Sequence, residues 1–134
     1  MLPFPIELKL GLPVTEQILF AVKKAVVAGQ LRPGAKFPSL RVLSQELRIN
    51  PNTAQRVIAA LVAEGVLITT PAVGSVVAER EPGRREDRSG LLGADVERLV
   101  VEAMKLGLDE DDVHAAVAAH WRKLTRNQRQ LSYR

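Results

Sequence analysis

Between Asn50 and Gly65 the apolar residues Ala54, Val57, Ile58 and Leu61 recur at the three- and four-residue spacing of one buried helical face. Asn50 is a good N-cap, because its side-chain oxygen can accept from an orphan backbone N–H one turn on. Pro51 suits the first helical position, where no amide donor is needed, and Gly65 suits the left-handed residue that ends a helix. Together they predict a helix over about 51–64. Upstream, Val14, Ile18, Val22, Ala25 and Val26 form a second stripe, predicting a helix over about 14–28 that stops at Gly29. Leu31-Arg32-Pro33-Gly34 reads as a turn, with Pro presetting the first central position and Gly tolerating positive φ at the next. Ser39 can cap a helix over about 39–48, whose stripe is Leu40, Leu43 and Leu47, and Arg48-Ile49-Asn50 is a short connection. Phe4, Ile6, Leu8 and Leu10 alternate with polar or proline positions, which predicts a short strand or extended arm with one face covered.

After Gly65 the period changes. Val66 to Thr70 and Ser75 to Ala78 are β-prone runs around Pro71-Ala72-Val73-Gly74, so residues 66–78 read as a hairpin. Residues 79–90 are polar, mixed in charge and contain Pro and Gly, the composition of a linker. Arg84, Arg85 and Arg88 within it could touch phosphate, but the interleaved acids favour a solvated connection. Beyond it, Leu92, Val96, Leu99, Val100, Ala103 and Met104 share one face of a helix from about Leu91 to Leu106, ended by Gly107. Asp109 can cap a last helix, and Glu110, Asp111 and Asp112 suit its positive end. Val113, Ala116, Val117, His120, Trp121 and Leu124 form its stripe. Residues 127–134 are a basic tail holding Arg129 and Arg134, read as lying near DNA or remaining disordered.

The predicted fold is therefore mainly α with a small β wing. Residues 1–78 make an N-terminal winged helix-turn-helix domain, 79–90 a linker, and 91–126 two C-terminal α-helices. Two short helices joined by a turn match a helix-turn-helix, in which the second helix reads a DNA groove. Asn52, Thr53, Gln55 and Arg56 put donors and acceptors at the start of that helix, and Ala59, Ala60 and Ala63 let it sit deep. Taken alone, such a helix also suits an ordinary surface position. The hairpin, too, could merely cover the core.

Composition changes this picture little. The chain has 134 residues, 46% hydrophobic and 25% charged, which fits a globular protein of one compact domain plus an appendage. Aromatics are only 4%, so Ala, Val and Leu must fill the core, and a formal charge of +4 leans towards an anionic partner. The absence of cysteine excludes disulfides and thiolate sites. No apolar run approaches the ~18 residues of a membrane span, and the first residues lack a signal-peptide pattern. A cytoplasmic location, with no membrane partner, is the default.

The ordered set Ala28-Gly29-Gln30-Leu31-Arg32-Pro33-Gly34, Phe37-Pro38-Ser39-Leu40-Arg41, Ile49-Asn50-Pro51-Asn52-Thr53, Ala63-Glu64-Gly65-Val66-Leu67 and Gly74-Ser75 resembles the GntR family of bacterial transcription regulators. The resemblance covers Val14 to Val77, about half the chain. The Asn-Pro-Asn-Thr opening and the short C-terminal part look like its YtrA-type branch. It implies DNA contacts from Ser39 and Arg41 at the start of the second helix, and from Asn50, Asn52, Thr53, Gln55 and Arg56 on the third. Gly74 and Ser75 of the wing would meet the backbone or minor groove. Many members carry arginine where this chain has Pro51, and often at Gln55, so those base contacts do not transfer. Many also have glycine at Ala72 and a basic residue at Val73. This neutral, partly apolar wing tip is expected to add little affinity.

Two amphipathic helices of this length cannot bury both stripes alone, nor enclose a drug-sized pocket. Pairing with a second copy through Leu92, Val96, Leu99, Val100, Ala103, Met104, Val113, Val117, His120, Trp121 and Leu124 is the economical solution; folding back on the winged domain is the other. A two-fold dimer would offer two reading helices to a palindromic double-stranded operator. The function expected is a homodimeric DNA-binding regulator, most simply a repressor, and the YtrA-type resemblance implies transporter genes as targets. The alternatives are a winged-helix protein-interaction module, and a switch gated by a small effector, of unknown identity, at the C-terminal helices. No cofactor, metal site or catalytic residue is expected. Asp109 to Asp112 lack the ligand alternation of a calcium loop. His114 and His120, six apart, do not share a helix face. No phosphate-binding glycine loop or Ser/His/Asp set can be argued, so the chain is not read as an enzyme.

Overall fold

The computed structural model describes residues 1–80, 83 and 85–132, with 129–132 described as helical backbone alone. Two compact units divide the chain. The first comprises residues 1–80 together with the stretch from 127 onward, and the second runs from 81 to 126.

In the first unit, α1 (Val14–Val27), α2 (Leu40–Leu47) and α3 (Pro51–Ala63) precede a hairpin of β1 (Leu67–Thr70) and β2 (Gly74–Val77). Each helix starts and stops for a local reason. The Ser39 hydroxyl accepts from the Val42 N–H at 3.2 Å, and the Asn50 side-chain oxygen accepts from the Asn52 N–H at 2.8 Å. Pro51 takes the first position of α3, and Gly65, at φ 77°, follows its end. Pro13 cannot cap α1 with a side chain. Gln17 ties the chain down there instead: its amide donates to the Lys9 and Leu12 carbonyls and its oxygen accepts from the Lys9 N–H.

The core is made where the three helices meet. Ile18, Val22, Leu43, Ala54, Val57 and Leu61 are wholly buried there, and Leu40, Leu47 and Ile58 pack against them. Val14, expected on the same stripe, is more than a third exposed, since it opens α1 just past the Gly11–Pro13 turn. The strands pair antiparallel with Leu67 opposite Val77 and Thr70 opposite Gly74, and Leu67 and Val77 close the base of the core.

A third extended segment completes the sheet. Lys36 bridges Val76, the Phe37 N–H donates to the Ser75 carbonyl, and the Val77 N–H donates to the Ala35 carbonyl, both at 2.9 Å. The Pro33-Gly34 turn starts this segment as expected: Gly34 sits at φ 84° and the Ala35 N–H returns to the Arg32 carbonyl. Phe37 is thereby carried into the core, where its ring stacks on Phe4 with centroids 5.9 Å apart.

That stack explains the first residues. The alternation over Phe4 to Leu10 makes an extended arm and not a strand, because among the described residues no partner strand runs beside it. Phe4 is buried, while Leu2, Ile6 and Leu8 pack against the core. Leu10 is fully exposed, since the chain turns away at Gly11 (φ 84°).

In the second unit the linker expected over 79–90 is shorter than its composition suggested. A six-residue helix, α4 (Arg85–Gly90), runs through a π-helical turn at Leu91–Asp95 into α5 (Val96–Lys105). Beyond Gly83 no proline interrupts the chain, and Glu86 and Asp87 fall in the first turn of α4, where acids suit the helix dipole. Polar composition signalled solvent exposure, which α4 has throughout, and not the lack of a helix. Gly107 (φ 79°) ends α5. Asp109 and Asp112 then cap α6 (Glu110–Ser132) reciprocally, each side chain accepting from the other's N–H at 2.9 Å. Loss of such a cap costs about 1 kcal/mol. Asp109→Ala is expected to lower α6 helicity by circular dichroism without disturbing the winged unit.

α6 also runs on into the segment expected to be a basic tail, as helix to Ser132. Arg84 and Arg134 lie outside the described residues, as does the side chain of Arg129. The described fold is mostly helical with a small antiparallel sheet, a winged helix followed by α4, α5 and α6.

Candidate nucleic-acid interface

The outward face of α3 is set by its inward one. With Ala54, Val57 and Leu61 buried, the same periodicity turns Asn52, Gln55, Arg56, Ala59 and Ala63 outward, and all five are exposed. Thr53 is half-buried at the margin. The helix therefore presents two carboxamides and a guanidinium over its first two turns, with methyl groups behind them. Its N-terminal end, the positive end of its dipole, carries no acid in the first turn.

α2 contributes Arg41, exposed in its first turn, next to Ser39. Among the described residues neither Arg41 nor Arg56 has an ion-pair partner. A phosphate or base edge approaching them need not displace a carboxylate. Ser39 and Asn50 are differently placed. Their side-chain oxygens each accept one backbone N–H at the caps of α2 and α3, which ties these side chains to the helix ends.

At the wing, Gly74 is exposed at φ 94° and Ser75 is half-buried, its carbonyl held by Phe37. Ala72 adopts φ 67°, a left-handed conformation that glycine fills more cheaply. The tip, Pro71-Ala72-Val73, is exposed and carries no charge.

Two cations beside these elements had no mark in the sequence. Arg48 is exposed at the left-handed corner between α2 and α3 (φ 53°), and Lys36 is exposed on the extended segment beside β2. The Ala35-Lys36-Phe37 alternation is the signal for Lys36, but three residues are too short to stand out.

The second unit has different chemistry. Of the stripe expected to pair, only Ala103 is buried, at 6% exposed, while Val113 and Leu124 are half-buried. Leu92, Val96, Leu99, Val100, Met104, Val117 and Trp121 are all exposed, Trp121 at 72%. His120 is exposed beside Trp121, and His114 lies 3.5 Å from Glu110 on the same helix. No group of His, Cys, Asp or Glu that could hold a metal ion occurs among the described residues. No helix described is long and apolar enough to cross a membrane.

The family model described as bacterial regulatory proteins, gntR family, matches residues 14–77, the span from α1 to the end of β2. The chain is similar to the HTH-type transcriptional repressor YtrA of Bacillus subtilis, 27% identical over 103 residues that cover 76% of this chain and 79% of that protein. Among solved structures, a GntR family transcriptional regulator from Listeria monocytogenes is 25% identical, with a TM-score of 0.63 over 84% of this chain and 98% of that one. A transcriptional antiterminator from the same organism shares the fold, with a TM-score of 0.81 at 24% identity over 90% of this chain and 91% of its own.

Proposed function

The chain belongs, through residues 14–77, to the GntR family of bacterial regulatory proteins and is a DNA-binding transcription regulator, and from that premise we propose that it acts as a homodimeric repressor on a palindromic operator. One observation carries the pairing. The second unit leaves its apolar stripe on α5 and α6 in solvent, with Ala103 its only buried member among the described residues. At about 25 cal/mol per Å² of apolar surface, a face of that kind is stabilised by being covered. A second copy offers the matching face through a two-fold axis.

Two copies related in this way present two α3 helices to one duplex. Half-sites reading successive major grooves on one face of DNA lie about 34–36 Å apart, or multiples of that. The operator is then an inverted repeat. Occupying it within a promoter blocks polymerase, the simplest route to repression. Following the YtrA-type resemblance, the genes controlled are those of transporters, which transcript profiling of a deletion strain tests.

Arg41 and Arg56 set much of the affinity. Arg41→Ala and Arg56→Ala are each expected to weaken operator binding by about 1–3 kcal/mol if they meet bases; if they meet phosphates, each substitution weakens binding to all sequences alike and lowers the salt slope by about one. Titration of a fluorescent duplex at several salt concentrations separates the two roles. Unchanged affinity and salt slope in both variants, with folding intact, would remove these arginines from the interface.

Site-specific binding as a whole is tested by selection from a random duplex pool at two salt concentrations. Enrichment of an inverted repeat, weakened as salt rises, is the expected result. Salt-sensitive binding that enriches no sequence would refute a site-specific operator.

A further inference from the structure

We infer that Gln55 and Asn52 are adenine-reading residues, so that each operator half-site contains two neighbouring A·T pairs read by the carboxamides of α3. This rests on the groove-reading role of α3 proposed above and adds its base preference.

Elimination among the polar groups of that helix leads to these two. Bidentate recognition of adenine uses one donor and one acceptor on the same planar amide, meeting N7 and the N6 amino group. Three carboxamides stand at or near the start of α3: Asn50, Asn52 and Gln55. Asn50 is the least suited, because its oxygen accepts from the Asn52 N–H at 2.8 Å to cap the helix, which uses one of its two lone pairs and ties its amide to the helix end. Asn52 contributes only its backbone to that cap. Its side chain is exposed, as is that of Gln55, and among the described residues neither carboxamide has a hydrogen-bond partner. Both therefore keep donor and acceptor together.

Spacing supports a pair of adjacent bases. Three residues advance a helix by about 4.5 Å, close to the base-pair rise of about 3.4 Å. The surrounding residues restrict the alternatives. The first turn of α3 holds no Asp or Glu that could accept from the cytosine amino group. The exposed methyl group of Ala59, one turn beyond Gln55, suits contact with a thymine methyl. Arg56 has the fork that matches guanine and is the neighbour that would specify a G·C pair.

The experiment is parallel selection from one random duplex pool with the wild-type chain, Gln55→Ala and Gln55→Arg, each checked for native helicity. The wild-type chain should enrich half-sites with two neighbouring A·T pairs. Gln55→Ala should lose the preference at one of them by about ten- to hundredfold and keep the other, while Gln55→Arg should enrich guanine at that position. A Gln55→Ala pool with unchanged preference at every position overturns the assignment and leaves the regulator reading intact. A wild-type pool that enriches nothing overturns both.

Discussion

Leu99→Asp is expected to leave the winged unit folded and abolish pairing. In the single chain Leu99 is about half exposed on the apolar face of α5, so a carboxylate there costs the isolated protein little. Between paired helices the same charge is buried without a partner, a situation that costs about 3–5 kcal/mol. Two copies bring two such charges. Light scattering should then report the single-chain mass at concentrations where the parent, paired as proposed, gives twice that mass. Operator affinity should fall by about 10²–10⁴-fold, because the second half-site no longer benefits from being tethered to the first. A Leu99→Asp variant that stays dimeric and binds as before would place the interface elsewhere.

The second large effect is on stability. Phe37→Ala removes a ring that is 5% exposed and stacked on Phe4. Truncating a buried Phe costs about 3–5 kcal/mol, a large share of the roughly 5–15 kcal/mol by which a domain is stable. The backbone bond from Phe37 to Ser75 survives the substitution, so the loss is one of packing. Urea unfolding should show a lowered midpoint. The arm holding Phe4 should become accessible to protease under conditions where the parent is protected. A change below about 1 kcal/mol would mean that the arm and the extended segment contribute little to the core.

Leu99 and Phe37 also mark what could be read in advance. The elements around α3 were legible because several local signals agree there: Ser39 and Asn50 as caps, Pro51 at the first turn, Gly65 at the end, and a clean apolar period between. The Pro33-Gly34 turn was legible for the same reason. The extended segment just past that turn was not legible. Residues 35–37 join the sheet by pairing with β2, a tertiary event with no period long enough to detect. Phe4 shows the converse, since its alternation was visible but the stack that makes an arm of it depends on Phe37.

The C-terminal half divides in the same way. The stripes of α5 and α6 and the Asp109 cap are written in the sequence, and the cap forms as expected. The helix beginning at Arg85 was hidden by its charge, because every residue of α4 is exposed and no apolar period marks it. At the candidate site the sequence named the polar residues of α3, but it could not separate Asn50, whose oxygen is used by the helix cap, from Asn52 and Gln55, whose amides are not. That distinction is geometric, and the proposed base preference rests on it.

If two copies of the chain are joined through α5 and α6, they place two α3 helices on one duplex. The most direct measurement is the mass of the complex formed with a selected duplex by light scattering or native mass spectrometry. It should be compared with the complex formed on a duplex carrying a single half-site. Two chains on the full site, with affinity well above that for the half-site, is the result expected. One chain bound to each full site at undiminished affinity would contradict the paired arrangement.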